Sequence, residues 1–374
     1  MTGLGIFIFI AFVLIAIGLH EFGHFATAKA FGIKVERFFI GFGPKLWSTT
    51  RGETEYGVSA FPLGGYVRIA GMNPLEEIKP EDKTRTFKAK PAWQRAIVLA
   101  AGSITHFIVA LIIIAAILSI AGEPDPDRPT LTMGSVGSSV GPQTPAQKAG
   151  MKAGDRVVAV AGTTVRDWDA FVEVIHKHGG ETIPLVVVRD GKRITLNATL
   201  DPKNPRGQNI GFLGVSPRVE IVHHSIPASI GRAGTQVGSL MKESLVAFKN
   251  VFAPSTLKRL FQVAVGQEER KPEDPTTIVG VGKQAGDLAR TGDFVGLFLT
   301  VAVFNVFIGV VNLLPLPPLD GGHLAVLSYE KIARRDVDMR RLLPITAMVL
   351  TVFGMLFVLL LYSDIVNPLP GIPG

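Results

Sequence analysis

Long apolar runs interrupt the chain at four places, and each is long enough for a membrane-crossing helix. From Leu4 to Leu19 no charged residue occurs, and the apolar character continues far enough to predict a first span over residues 4–30. The pattern predicts further spans over residues 96–121, 294–314 and 342–362. Between them the periodicity changes. Gly41-Phe42-Gly43-Pro44-Lys45-Leu46-Trp47 and Tyr56 to Val67 read as short strands broken by glycine and proline, with aromatic rings suited to a membrane interface. A proline-rich exit at Gly122-Glu123-Pro124-Asp125-Pro126 leads into a β-rich stretch over residues 132–215. It holds a short helix ending near Gly150, a strand from Arg156, and strands over 183–189 and 192–200 around an Asp190-Gly191 hairpin turn. Residues 235–263 place Met241, Leu245, Phe248 and Phe252 on one helical stripe and Lys242, Lys249 and Lys258 among the polar positions. This predicts an amphipathic helix on the membrane surface or beside the bundle. Residues 266–275 read as a charged linker.

The predicted fold is therefore a polytopic α-helical membrane protein with four transmembrane helices. A membrane-associated β-hairpin region follows the first helix, and an α+β domain is inserted between the second and third. The segments are a first span in 1–31, the β region in 32–95, a second span in 96–121 and the inserted domain in 122–216. An amphipathic helix and linker occupy 217–278, the third span 279–323, a basic loop 324–341, and the fourth span with the C-terminus 342–374.

Composition agrees with a membrane protein carrying a soluble part: hydrophobic residues are 47% and charged residues 18%, and mean hydropathy is +0.35. The chain has no cysteine, which excludes disulfides and cysteine-ligated metals. A net charge of +7 raises the question of nucleic acid, but the cations cluster beside the apolar spans. Lys34, Arg37, Lys45, Arg51, Arg68, Lys79, Lys83, Arg85, Lys88, Lys90 and Arg95 occupy one loop, and Lys331, Arg334, Arg335, Arg340 and Arg341 another. The positive-inside rule makes both loops cytoplasmic and places the N-terminus, the inserted domain and the C-terminus outside, with no nucleic-acid role. A cleavable signal peptide is not expected, because cleavage would remove the chemistry held in the first span.

That chemistry is His20-Glu21-Phe22-Gly23-His24. Residues four apart share a helix face, so both imidazoles can hold one zinc ion while Glu21 sits beside them as a general base and then a general acid. Zinc supplies the Lewis acidity that makes a water deprotonable near neutral pH. Burying this pentad behind an uncharged run is costly unless the groups are paired or metal-bound. Zinc held by two histidines needs a third protein ligand. Asp320, the only acidic residue between Asp293 and Glu330, lies just beyond the proline-broken end of the third span. Spans one and three both run inward, so the histidines and Asp320 are brought to the same side. His323 is the rival ligand. Asn312 is a candidate donor to the developing oxyanion, or a helix-packing residue. His106, in the second span, is a candidate supporting or substrate-contacting group, or a packed neutral imidazole. Gly64 and Gly65 mark a strand whose edge either receives an unwound substrate segment or plugs the bundle as a structural hairpin.

The His-Glu-Phe-Gly-His pentad, Phe61-Pro62-Leu63-Gly64-Gly65-Tyr66, the inserted domain and Asn312 through Gly322 together resemble the bacterial site-2 protease family. These are intramembrane zinc metalloproteases of the regulator-of-sigma-E type. The inserted stretch around Gly150 to Gly162 is similar to a bacterial PDZ domain, a module that binds extended peptides by strand addition. The resemblance implies that His20, His24 and Asp320 bind one zinc, that Glu21 is the base and that Asn312 assists the transition state. It implies single-span membrane substrates such as anti-sigma factors, with remnant signal peptides as a further class, in a bacterial inner membrane. The PDZ-like domain would either recruit substrates or exclude them. Two positions depart from the family pattern: Gly102-Ser103-Ile104-Thr105-His106 stands where Gly-Pro-x-x-Asn is usual, and Thr277-Ile278-Val279-Gly280 matches only loosely. Two other classes compete. A membrane-anchored PDZ scaffold leaves the intact pentad unexplained, and a zinc transporter leaves Glu21 and the peptide-binding module unexplained.

Overall fold

The structure is a computed structural model that describes residues 2–72, 78–137, 143–204, 207–271, 274–335 and 337–369. It divides into a membrane unit, built from the chain up to Ile117 and from Ser225 onward, and an inserted unit, Leu118–His224.

Helix α1 (Thr2–Ala30) leads into strands β1 (Val35–Arg51) and β2 (Thr54–Ile69). They are long, not the short broken strands that the glycines suggest. Gly41 and Gly43 adopt φ of 90° and 85° and absorb shifts of register, so they bend the ladder without ending it. The strands also double back. The first half of β1 pairs on one side with the end of β2, Phe39 opposite Tyr66, and on the other with its start, Phe39 opposite Gly57. The second half of β1 then pairs with the start of β2, Trp47 opposite Val58. The end of β2 is thereby left as a sheet edge. A 3-10 turn over Pro80–Arg85 precedes α2 (Ala92–Ile120).

The inserted unit contains β3 (Glu123–Val136), α3 (Pro145–Lys148), β4 (Arg156–Val160), β5 (Thr163–Thr164), α4 (Trp168–Lys177), β6 (Thr182–Arg189), β7 (Lys192–Thr199) and β8 (Val215–Val222). Its six-stranded sheet has the order β7-β6-β4-β3-β8, with β5 on β4. The unit runs past residue 216, where the sequence pattern ends it, because β8 pairs with β3. Asp190 and Gly191 both take positive φ, 51° and 76°, as a two-residue hairpin turn requires. Thr144 and Gln147 cap α3 reciprocally. Met133, Phe171, Leu185 and Leu200 are buried at the centre, each worth about 1.5–3 kcal/mol relative to exposure. Residues 138–142 and 205–206 of the predicted domain lie outside the described residues.

The membrane unit resumes with α5 (Ile226–Val251), α6 (Pro254–Ala264), α7 (Ile278–Thr291), α8 (Phe294–Asn312), α9 (Asp320–Ala333) and α10 (Leu343–Val366). The amphipathic segment forms two helices, not one: Pro254 lacks an amide to continue α5 but suits the first turn of α6. The segment 279–323 likewise resolves into α7, α8 and the start of α9. The charged stretch after α6 is not a solvated linker throughout. Arg270 is buried, its Nη1 2.6 Å from Asp364 Oδ1 on α10, and both side chains are 1% exposed. Residues 272–273 of that stretch, and 370–374 after the fourth span, lie outside the described residues.

Among the described residues, four helical segments are long and apolar enough to cross a membrane: Thr2–Ala30, Ala92–Ile120, Phe294–Asn312 and Arg340–Val366. Along α1, Phe9 and Val13 pack against Ala285 and Leu288 of α7 and Leu297 and Val301 of α8. Farther on, Ala28 packs with Ile33, Val35, Ile69, Val98, Leu99 and Leu327. His20 and His24 lie between these two clusters, so packing on both sides fixes the part of α1 that carries the pentad.

Candidate metal centre

Three donors from two distant stretches meet in the membrane unit. His20 Nε2 is 3.2 Å from His24 Nε2, and Asp320 Oδ2 lies 3.5 Å from the first and 3.3 Å from the second. Asp320 arrives because the proline-broken segment after α8 turns sharply into α9, placing the carboxylate in that helix's first turn, where the backbone dipole favours it. Gly321 is essential to the turn: a Cβ there would lie 2.1 Å from the Leu313 carbonyl oxygen.

Helix α2 closes the site through a glycine. A Cβ on Gly102 would lie 2.3 Å from His24 Nε2 and 2.7 Å from His20 Nε2. On the facing helix, a Cβ on Gly23 would lie 2.7 Å from the Ala101 carbonyl oxygen. Helices gain no hydrophobic drive to associate in lipid, so this approach of small residues is what brings α1 and α2 together.

The donor set fits zinc. Ligand atoms about 2.0–2.1 Å from a tetrahedral zinc lie about 3.3 Å apart, and all three spacings are close to that. His24 Nδ1 donates to the Val98 carbonyl at 2.7 Å, so in the neutral ring Nε2 keeps its lone pair for a metal. Asp320 Oδ2 is buried with no hydrogen-bond donor among the described residues. Among those residues these three form the group that could hold a metal ion, and His323 is not part of it.

The remaining candidates divide. Glu21 faces the end of β2, where a Cβ on Gly65 would lie 2.7 Å from Glu21 Cγ, and the Val67 amide hydrogen-bonds the Glu21 carboxylate. Gly64 turns instead toward Phe42. Asn312 is the last residue of α8 and is half-buried. His106 is 2% exposed, its ring centroid 5.1 Å from that of His20, and its Nδ1 is 3.0 Å from Asn305 Oδ1. Two further residues shape the site: Gly102, whose role is to lack a side chain, and Asn305, a buried polar residue in the apolar span α8 that no sequence motif marks.

A family model described as peptidase family M50 matches residues 8–361. The chain is 35% identical over 400 residues to the zinc metalloprotease Rip1 of Mycobacterium tuberculosis, covering 98% of each. It is 32% identical over 337 residues to a putative zinc metalloprotease of Nostoc, covering 88% of this chain and 87% of that one. It is 28% identical over 428 residues to the regulator of sigma-E protease RseP of Escherichia coli, covering 89% and 92%. With the match running through the H-E-x-x-H helix and past Asp320, the chain belongs to peptidase family M50, the site-2 proteases, and is a zinc metalloprotease of the membrane.

Proposed function

We propose that the protein performs site-2 cleavage of single-span membrane proteins of the anti-sigma-factor type, with His20, His24 and Asp320 as zinc ligands. The observation that carries this reading is the spacing of the three donors at 3.2–3.5 Å. Zinc, when bound, acidifies the attacking water and polarises the scissile carbonyl. Glu21 takes the proton of the water as its oxygen bonds to the carbonyl carbon. It then delivers that proton to the amide nitrogen as the C–N bond breaks. The Val67 amide and the close backbone of Gly65 hold the carboxylate for this task. Asn312 donates its amide to the developing oxyanion.

A transmembrane helix hides its scissile carbonyl in intrahelical bonds, so a substrate must unwind before cleavage. The edge at the end of β2, running through Gly64, Gly65 and Val67 beside Glu21, offers the replacement hydrogen bonds. His106 acts behind His20. The inserted domain is a PDZ-like module on the extracytoplasmic side of a bacterial inner membrane, reading substrate tails by strand addition or excluding untrimmed substrates. The basic loops face the cytoplasm and both termini lie outside. The segmentation follows: the first span with its pentad, the β region, the second span, the inserted domain, the two amphipathic helices, the third span with Asn312 and Asp320, and the fourth.

The test is reconstitution of the purified protein with single-span substrates of anti-sigma-factor type, comparing wild type, Glu21→Gln and wild type with a chelator. Cleavage by wild type alone is expected. Cleavage by Glu21→Gln at the wild-type rate would remove Glu21 from its role, and zinc flux without cleavage would favour transport.

A further inference from the structure

His20 and His24 share a helix face and a metal but not the same support. The ring of His24 is fixed by the Val98 carbonyl at Nδ1. His20 Nδ1 is buried with no hydrogen-bond partner among the described residues. A metal-bound imidazole needs an acceptor at its other nitrogen to set its orientation and basicity, and besides His24 the ring of the buried His106 packs on His20, with centroids 5.1 Å apart at 42°.

His106 is itself held. Asn305 Nδ2 donates to the Val301 carbonyl at 2.9 Å, which fixes the amide so that Oδ1 faces His106 Nδ1 at 3.0 Å. An amide oxygen only accepts, so the proton of a neutral His106 sits on Nδ1 and its Nε2 carries a lone pair. Asn305 and His106 are 1% and 2% exposed, so the pair is enclosed by protein. One turn along α8 from Asn305, Gly309 lets the helices meet: a Cβ there would lie 3.2 Å from His106 Cβ. The close crossing holds α8 at the distance that the hydrogen bond requires.

We infer that Asn305 acts through His106 as a positioning pair for His20, with His106 Nε2 as the acceptor toward which the Nδ1–H of His20 turns when the metal is bound. The inference rests on the zinc-ligand role proposed for His20. It assigns a supporting chain, from α8 through α2 to α1, to the pentad histidine whose Nδ1 has no hydrogen-bond partner among the described residues.

The experiment is zinc affinity of the full-length protein in detergent, stripped of metal and titrated against a chromogenic chelator, with no activity assay. Wild type is expected to bind one zinc per chain. Asn305→Leu removes the acceptor, and His106→Phe keeps the ring but removes its nitrogens. Each is expected to weaken zinc binding by about 10- to 100-fold. Because the two act in series, the double variant should be no weaker than the weaker single one. Asn305→Asp retains an acceptor oxygen and should return affinity to within about threefold of wild type, an effect that packing alone does not produce. Helical circular dichroism and gel filtration establish that each variant is folded. If Asn305→Leu does not fold, His106→Phe and Asn305→Asp still give opposite expectations. Wild-type affinity in His106→Phe, or additive losses in the double variant, would overturn the inference and leave the three ligands standing. A wild-type protein that binds no zinc would overturn the ligand reading itself.

Discussion

The Cα of Gly102 faces the His24 ring so closely that a methyl group there would lie 2.3 Å from Nε2. A real Cβ does not tolerate that distance, and both imidazoles are in its path, since His20 Nε2 would lie 2.7 Å away. Gly102→Ala is therefore expected to lower zinc affinity by about 100-fold or more, beyond the loss of a single supporting hydrogen bond. Metal analysis after dialysis against a weak chelator measures it.

Gly65→Ala tests the other wall of the site. Its Cβ would meet Glu21 Cγ at 2.7 Å and the Phe39 carbonyl oxygen at 3.0 Å, so the carboxylate must shift while His20, His24 and Asp320 stay in place. Zinc content should be unchanged and kcat should fall by about 100-fold, the cost of misplacing a reacting group by about 1 Å. Steady-state cleavage of a reconstituted substrate, with zinc measured on the same sample, separates the two substitutions.

Arg270 and Asp364 bury an ion pair at 2.6 Å, and Asp364 also accepts from the Thr276 hydroxyl and the Thr277 amide, each at 2.8 Å. This clasp ties the segment before α7 to α10, a span that is otherwise largely unburied by protein. Arg270→Met strands a buried carboxylate and should cost about 3–5 kcal/mol. Arg270→Met with Asp364→Leu should cost less than the sum of the two single changes, because no charge is left unpaired. Unfolding in mixed micelles with increasing SDS provides the comparison.

Glu53, between β1 and β2, joins the sheet to the rest of the unit: its Oε1 takes Lys29 Nζ at 2.6 Å and Arg85 Nη2 at 2.8 Å. The hydrogen bonds from Arg85 and Lys29 hold its pKa well below the ordinary 4.5, at about 2. A carboxyl that binds its proton less tightly when folded stabilises the fold fully above the unfolded value and progressively less as pH falls toward the folded one. The Tm difference between wild type and Glu53→Gln should thus be constant from neutral pH to about 5 and close between about pH 4.5 and 2. A difference that grows on acidification would contradict it.

The spans were legible because each is an uninterrupted apolar run, and the pentad because its spacing matches a helix face. Asp320 stood out as a lone carboxylate beside a proline-broken helix end. The rest depends on partners that periodicity does not reveal. Gly41 and Gly43 look like strand ends but act as bulges, because the pairing comes from residues later in the chain. Arg270 reads as solvated among charged neighbours, while Asp364, the partner that buries it, lies on the far side of two spans. Asn305 is one polar residue in an apolar helix, and only the crossing of α8 with α2 shows that it faces His106. In each case local sequence determines the element and a distant contact determines the role.

X-ray absorption at the zinc edge of the metal-loaded, full-length protein tests the central claim most directly. Two imidazole nitrogens and a carboxylate oxygen at about 2.0–2.2 Å are expected, with one imidazole lost in His24→Ala and the carboxylate lost in Asp320→Ala. A spectrum with three imidazoles, or one that Asp320→Ala leaves unchanged, would contradict the account.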